Sequence, residues 1–394
     1  TEQWFMSIDK DGLREKALAE CNNVQWIPKW GFDRISNMLA SRPDWCLSRQ
    51  RAWGIPIPSL VDRRTGKGFL DADLISNFIA FVENEGTDCW YTRPLVDFLP
   101  DHLKADAAHF DKEFNTFDVW YDSGSTHLAV LNEKYDLSWP ADLYLEGGDQ
   151  HRGWFQHSMW VGVGVRGAAP FRAVLTHGFV LDAKGQPMSK SLGNVINPLD
   201  VIKDSGADVL RLWVSSEDYR DDVSISPNSI KQMGDAYRKI RNTLRAIMAN
   251  LYDFDPATNA VPYAQLAEDD RFALHTLNEL VGSVRAAYDA YEFHRVYQLV
   301  NNYCVRDLSS LYVDITKDRL YCSAPDDAVR RASQTVFHEI ASALARLVAP
   351  ILAFTADEVW ENLPGRAGQC VHLENMPSVR PEWSDAALAA RFEK

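Results

Sequence analysis

The segment between residues 141 and 182 constrains this chain more than any other. "ADLYLEGG" is a short apolar run of strand type that stops at two glycines. "DQHRGWFQHSMWVGV" follows with helical extent, and its leading Asp reads as a cap. "FRAVLTHGFVLD" reads as a second strand, "AKGQ" as a turn, and "PLDVIKDSGADVLRLWVSS" as a helical region. Strand, helix and strand in that order form a crossover unit of a parallel sheet.

The texture changes near residue 230. No proline lies between Pro262 and Pro325, and Tyr237, Ile240, Leu244, Ile247 and Leu251 form one apolar helical stripe. The stretches 269–320 and 326–363 supply further long helices, so this part reads as a helical bundle. By contrast, the Trp-, Pro- and Arg-rich stretch up to residue 60 carries too many breakers for long helices. "VDRRTGKGF" then reads as a turn and "DLISNFIAFVENEG" as an amphipathic helix. With 394 residues, two or three domains are expected. No apolar run approaches the roughly 20 residues of a membrane-spanning helix. The six cysteines are scattered, with none at metal-ligand spacing, and read as reduced cytosolic packing thiols. "GVGVRG" matches a dinucleotide fingerprint at Gly162, Gly164 and Gly167, but it follows a helix and precedes a strand, the reverse of the required order. It reads as a helix C-terminus.

Three elements carry candidate chemistry. In "DAKGQPMSKSLGN", Lys190 sits between Ser189 and Ser191 on a Gly-containing loop, suited to neutralising charge on a polyphosphate. In "LYLEGGDQHRGW", Glu146, Gly147, Gly148, Asp149 and Gln150 stand at the C-terminal end of the first strand, where open α/β sheets bind ligands. In "FDVWYDSGST", Trp120 can wall a small apolar pocket. Taken singly, each has a plainer explanation: a solvated lysine, a capped turn, a core aromatic.

Taken together, "DWCLSRQRAWGIPIP", "DVWYDSGST", "LYLEGGDQHRGWF", "LTHGFVLDAKGQPMSKSLGN" and "GADVLRLWVSSEDYRDDVSIS" resemble class I aminoacyl-tRNA synthetases, most closely the isoleucyl members, in register over nearly the whole chain. The resemblance implies an α/β plus all-α architecture: the C-terminal half of a Rossmann-like parallel nucleotide fold, followed by an anticodon-binding helical bundle. It implies a connection over 1–60, a small inserted module over 61–115, catalytic-domain residues over 116–230 and the helical domain over 231–394. It assigns phosphate stabilisation to Lys190 with Ser189 and Ser191, and Pro187 stands where the family has its first loop lysine. Glu146, Gly147, Asp149 and Gln150 match positions that hold the aminoacyl-adenylate, and Gly148 stands where a serine is common. Trp120 and Trp154 match tryptophans bounding the isoleucine side-chain pocket. ATP with Mg2+, isoleucine and isoleucine tRNA are the implied partners of a monomeric cytoplasmic ligase.

The family's second signature, His-Ile-Gly-His, has no match. The nearest string, His151-Arg152-Gly153-Trp154, lies in the wrong half. The resemblance therefore implies a fragment lying after the editing insertion and inactive alone, with zinc possible only in absent parts and no metal in this chain. Residues 1–230, as part of a split sheet, are expected to be less stable than the helical part. The net charge of −14 argues against non-specific nucleic-acid coating. Locally, however, Lys231, Arg238, Lys239, Arg241 and Arg245 oppose only Asp235, and Lys29, Arg34, Arg42, Arg49 and Arg51 oppose Asp33 and Asp44. Arg238, Arg241 and Arg245 share one helical face, roughly opposite the apolar stripe, and are the candidate tRNA contacts. Two alternatives remain: a non-catalytic tRNA-binding module, and an unrelated nucleotide-binding α/β enzyme with a helical appendage.

Overall fold

The computed structural model describes residues 2–392. The chain forms two compact units, Thr1–His177 and Gly178–Lys394.

After a short strand at Phe5–Met6, the first unit runs through α1 (Leu13–Glu20), β1 (Gln25–Ile27) and α2 (Trp30–Ala40). Pro28 and Pro43 bracket α2 without entering it, and it buries Gly31, Ile35 and Leu39 on one face. β2 (Leu60–Asp62) and β3 (Lys67–Phe69) make a hairpin whose turn needs Gly66 at φ +70°. α3 (Ala72–Glu85) starts at Asp71, whose carboxylate accepts the N–H groups of Asp73 and Leu74. β4 (Phe110–Lys112) pairs antiparallel with β2. Residues 60–110 thereby enclose a core of their own around Leu74, Phe78, Trp90 and Phe98.

Next come α4 (Val119–Val130), β5 (Tyr144–Gly147), α5 (Trp154–Arg166) and β6 (Ala173–His177). The three-stranded sheet runs β1-β6-β5, parallel throughout, with α5 as the crossover between β5 and β6. A larger core packs here, around Ile35, Phe155, Trp160, Phe171 and Val174. The expected helix start moves. Residues 148–152 form a tight 3-10 turn and α5 begins only at Trp154, because Gly153 is non-helical (φ −118°, ψ −118°). Gly162 and Gly164 lie inside α5 and Gly167 ends it at φ +72°, so "GVGVRG" is a helix terminus.

The single strand expected over 171–182 is broken. β6 ends at His177, and β7 (Val180–Leu181) belongs to the second unit, paired in parallel with β8 (Val223–Ser224). Gly178 makes the break: its N–H donates to the Tyr219 carbonyl at 2.8 Å, and a Cβ there would lie 2.3 Å from the Asp221 carbonyl oxygen. Only glycine lets the two segments pass so closely.

The second unit continues with α6 (Pro198–Ser205) and α7 (Ala207–Ser216) before β8, then α8 (Pro227–Ala249), α9 (Glu268–Asp289), α10 (Phe293–Asn302), α11 (Ala328–Val348) and α12 (Ala353–Glu361). Ile240, Leu244 and Ile247 of the expected stripe are buried, as is Leu251 just beyond α8. The compact units divide at 177, whereas the texture change near 230 falls inside the second of them. The physical reason is packing: Val209, Leu212, Trp213 and Ile225 share one hydrophobic cluster with the bundle helices. No described helix is long and apolar enough to cross a membrane.

Candidate active site

In the first unit, the register β5–β6 sets Glu146 beside Thr176 and Gly147 beside His177 at the C-terminal edge of the sheet. Glu146 is exposed, its carboxylate 4.0 Å from His177 Nε2 and accepting the Gly147 N–H at 3.1 Å. Gly147 and Gly148 are buried. A Cβ on Gly148 would meet Arg34 Nη1 at 3.5 Å and Trp30 Cη2 at 3.8 Å, ordinary contacts that leave room for a small side chain. Trp30 and Arg34 of α2 therefore lean over this turn. Asp149 is exposed and accepts from Gln150 Nε2 at 3.0 Å, while Gln150 Oε1 accepts the Trp154 N–H at 2.9 Å and caps the start of α5.

Gly153 is where these residues meet. A Cβ there would stand 2.6 Å from Gln150 Oε1 and 2.9 Å from Trp120 Cη2. Its lack of a side chain lets Gln150, Trp120 and Trp154 converge. Trp154 stacks on Tyr144 of β5 at 4.0 Å and 14°, and its Nε1–H donates to the Ser123 carbonyl at 3.0 Å. Trp120 opens α4, capped by Asp118, which is buried while accepting from Trp45 Nε1 at 3.0 Å and pairing with Arg49 at 2.9 Å. The motif residue Gly124 is explained by close helix packing: its Cβ would lie 2.9 Å from the His157 carbonyl carbon and oxygen on α5. His151 is fully buried, donates Nδ1–H to the Gly148 carbonyl at 3.1 Å, and is pushed down to about 4 by loss of hydration. It is a neutral core residue that orders the turn.

In the second unit, Ser189, Lys190 and Ser191 lie on the loop between β7 and α6. Asp182 holds the loop's base, its Oδ1 accepting the N–H groups of Lys184 and Gln186 at 2.8 and 2.9 Å. Asn194 ties the two ends: Nδ2 donates to Asp182 Oδ2 at 2.9 Å and to the Pro187 carbonyl at 3.2 Å, and Oδ1 accepts the Ser189 N–H at 2.9 Å. These bonds hold the Asp182 carboxyl below its usual range, the Asn194 amide first among them. Ser189 and Ser191 hydroxyls lie 3.1 Å apart. Lys190 is exposed, and no carboxylate among the described residues reaches it. The arrangement is a braced loop presenting an uncommitted cation and two hydroxyls, suited to an incoming polyanion. Asn194 and Asp182 escaped the sequence reading, although the "LGN" that ends the motif contained the first.

The basic tract on α8 is partly spent on internal pairs. Arg241 makes two bonds to Glu358 of α12, at 2.5 and 2.8 Å, and Arg238 pairs with Asp235. Lys231, Lys239 and Arg245 are exposed, without an ion-pair partner among the described residues. Arg241 thus faces α12, where the helical wheel placed it toward solvent. Among the described residues, the one acidic and histidine group close enough to hold a cation is Asp71, Asp73 and His102, and Asp71 already serves there as the cap of α3.

Comparison with known proteins also divides the chain in two, around the texture change near residue 230 and not at the boundary of the compact units. Residues 1–226 match the family model described as "tRNA synthetases class I (I, L, M and V)", and residues 270–394 match "Anticodon-binding domain of tRNA ligase". The chain is 51% identical over 396 residues to the isoleucine--tRNA ligase of Desulfitobacterium hafniense (strain DSM 10664 / DCB-2) and 48% identical to that of Syntrophotalea carbinolica. Each match takes in 100% of this chain and 43% of the relative, so the chain spans less than half of their length. The fold is similar to methionyl-tRNA synthetase of Mycobacterium tuberculosis in complex with methionyl-adenylate (TM-score 0.65, 19% identity, 91% of this chain and 62% of that one). It is also similar to the Agrobacterium radiobacter K84 LeuRS in its ternary complex with tRNA and LeuAMS (TM-score 0.61, 20% identity, 87% and 43%). The chain therefore belongs to the class I tRNA synthetases of the I, L, M and V group, and its whole length matches isoleucine--tRNA ligases.

Proposed function

We propose that this chain supplies part of the machinery of an isoleucine--tRNA ligase, which joins isoleucine to ATP and passes the acyl group to the 3′ end of its tRNA. The observation that carries the reading is the convergence of Gln150, Trp120 and Trp154 around Gly153 at the end of a parallel strand, in a chain this similar to such ligases. Trp120 and Trp154 bound the aliphatic side chain of the amino acid. Glu146, Gly147, Asp149 and Gln150 line the adenylate: exposed carboxylates accept hydroxyl or ammonium hydrogens, and the side-chain-free strand end admits the ligand's backbone.

In the first step a carboxylate oxygen of isoleucine bonds to the α-phosphorus as the bond to pyrophosphate breaks. Lys190 stabilises the charge that moves onto the leaving phosphates, with Ser189 and Ser191 donating to their oxygens. Magnesium enters with ATP as part of the substrate. Lys231, Lys239 and Arg245 are the unpaired cations of α8 offered to tRNA phosphates, whereas Arg238 and Arg241 are each held by a carboxylate, Asp235 and Glu358. Residues 1–394 by themselves are proposed not to catalyse, since their sequence holds no His-Ile-Gly-His string.

Isoleucine-dependent ATP–pyrophosphate exchange by the whole ligase tests this. Lys190→Ala should lower kcat about 100- to 1,000-fold while moving the KM for isoleucine by less than about threefold. Absence of exchange in the unsubstituted protein, or a loss confined to KM, would sink the reading.

A further inference from the structure

Trp120 occupies the first turn of α4 and is 36% exposed, and its indole packs against both His157 and Gly153. Beneath it is the His157 ring, stacked at 5.4 Å between centroids and 10° between planes. His157 has almost no freedom of its own. It is buried, its Nδ1–H donates to the Gly153 carbonyl at 2.6 Å, its Nε2 lies 3.5 Å from Arg42 Nη2, and the Trp45 ring packs at 4.5 Å. Trp45 is in turn anchored through Nε1 to Asp118, the residue that caps α4 ahead of Trp120. Both glycines that touch this stack are too close for a Cβ: Gly124 against the His157 backbone and Gly153 against the Trp120 ring, each at 2.9 Å. A column of rings, Trp45, His157 and Trp120, thus rises from the core to the surface, with glycines cut away on either side of it.

We propose that His157 is a positioning residue for amino-acid selection: its ring is the seat that sets the plane of Trp120 and, through it, the width of the side-chain pocket. The proposal rests on the reading of Trp120 as a pocket wall. Its physical basis is the smallness of the signal to be read. One buried methylene is worth only about fourfold in affinity, so a wall that rocks by a fraction of an ångström erases the difference between isoleucine and valine. A flat aromatic partner held by a short hydrogen bond restricts that rocking, where an aliphatic side chain would leave the indole free to tilt. His157 touches no substrate and takes no part in the chemical step.

The test is pyrophosphate exchange by the whole ligase with isoleucine and with valine, for the unsubstituted protein, His157→Ala and His157→Phe. His157→Ala should raise the KM for isoleucine about tenfold, leave kcat within about threefold, and lower the isoleucine-to-valine ratio of kcat/KM several-fold. His157→Phe keeps a flat ring and should hold both KM and the ratio within about threefold of the unsubstituted values. A folded His157→Ala protein with unchanged KM and ratio overturns the proposal, as does a fall in kcat alone. Should circular dichroism show His157→Ala unfolded, His157→Leu keeps a buried side chain of similar size and removes only the flat ring. Unchanged KM and ratio in that variant overturn the proposal equally. An unsubstituted protein lacking isoleucine-dependent exchange would instead remove the functional reading itself, so the two failures are separable.

Discussion

Three histidines of the first unit are buried, His127, His151 and His157, and each is pushed down to about 4, first by loss of hydration. For His127 the Arg166 cation adds to the effect. In the unfolded chain they titrate near 6.5. As pH falls, the unfolded state therefore binds protons first, and stability is lost between about pH 6.5 and pH 4, with no further loss from these groups below that window. Each group is worth on the order of 3 kcal/mol over the full window by linkage. The urea midpoint for the first unit should fall clearly between pH 7 and pH 5, and His151→Gln should flatten that fall; a midpoint that does not move over this range contradicts the assignment. The candidate residues at the C-terminal end of β5 and on the Lys190 loop stood out in the sequence because several motifs stand colinear. The neighbours that hold them were not. His157 reads as one more residue of an apolar helix until Trp120, 37 positions earlier, lies on its ring. Arg241 reads as a solvent-facing cation until Glu358 from another helix occupies its face.

At the scale of elements, α12 shows how one helix completes another. The residue just before it, Leu352, has no side chain able to cap it. Asp208 of α7 does so instead: one carboxylate oxygen accepts the Thr355 N–H at 2.8 Å and hydroxyl at 2.6 Å, and the other accepts the Phe354 N–H at 3.3 Å. Tyr237 of α8 closes the group on the same Thr355 hydroxyl at 2.9 Å. Hydrogen bonds from a buried carboxylate to a helix start are among the strong ones, so Asp208→Ala should lower stability by about 2–3 kcal/mol, and Asp208→Asn by less. A thermal or urea titration of the two variants measures this; an alanine variant within about 0.5 kcal/mol of the unsubstituted chain would show the cap to be idle. The helices themselves were foreseeable from periodicity, and the Ser226–Pro227 pair marks the start of α8, where a reciprocal Ser226–Ser229 capping box forms. The split of one apolar run into β6 and β7 was not foreseeable. It depends on Tyr219 and Asp221, 41 and 43 positions further on, crowding Gly178.

Over the whole molecule, the two units differ in how their cores are built. The first holds two separate clusters and a three-stranded parallel sheet whose outer strands, β1 and β5, have no further partner among the described residues. The second holds one continuous cluster from Val209 to Trp383. Limited proteolysis should therefore cut first within residues 2–177, for example near Trp53, which is 86% exposed, while a fragment close to 178–394 persists. Equal resistance of both units would count against this difference in cooperativity. The capping of α12 by Asp208 has one more consequence, in time. The two partners are 147 positions apart, and a ribosome adding about 5–20 residues per second needs roughly 7–30 s to make the second after the first. Throughout that interval the Asp208 carboxylate lacks its partner, although α8 and α10, which pack on α7, have already been made. The cap on α12 therefore closes late in synthesis, onto a carboxylate that its neighbours have already placed.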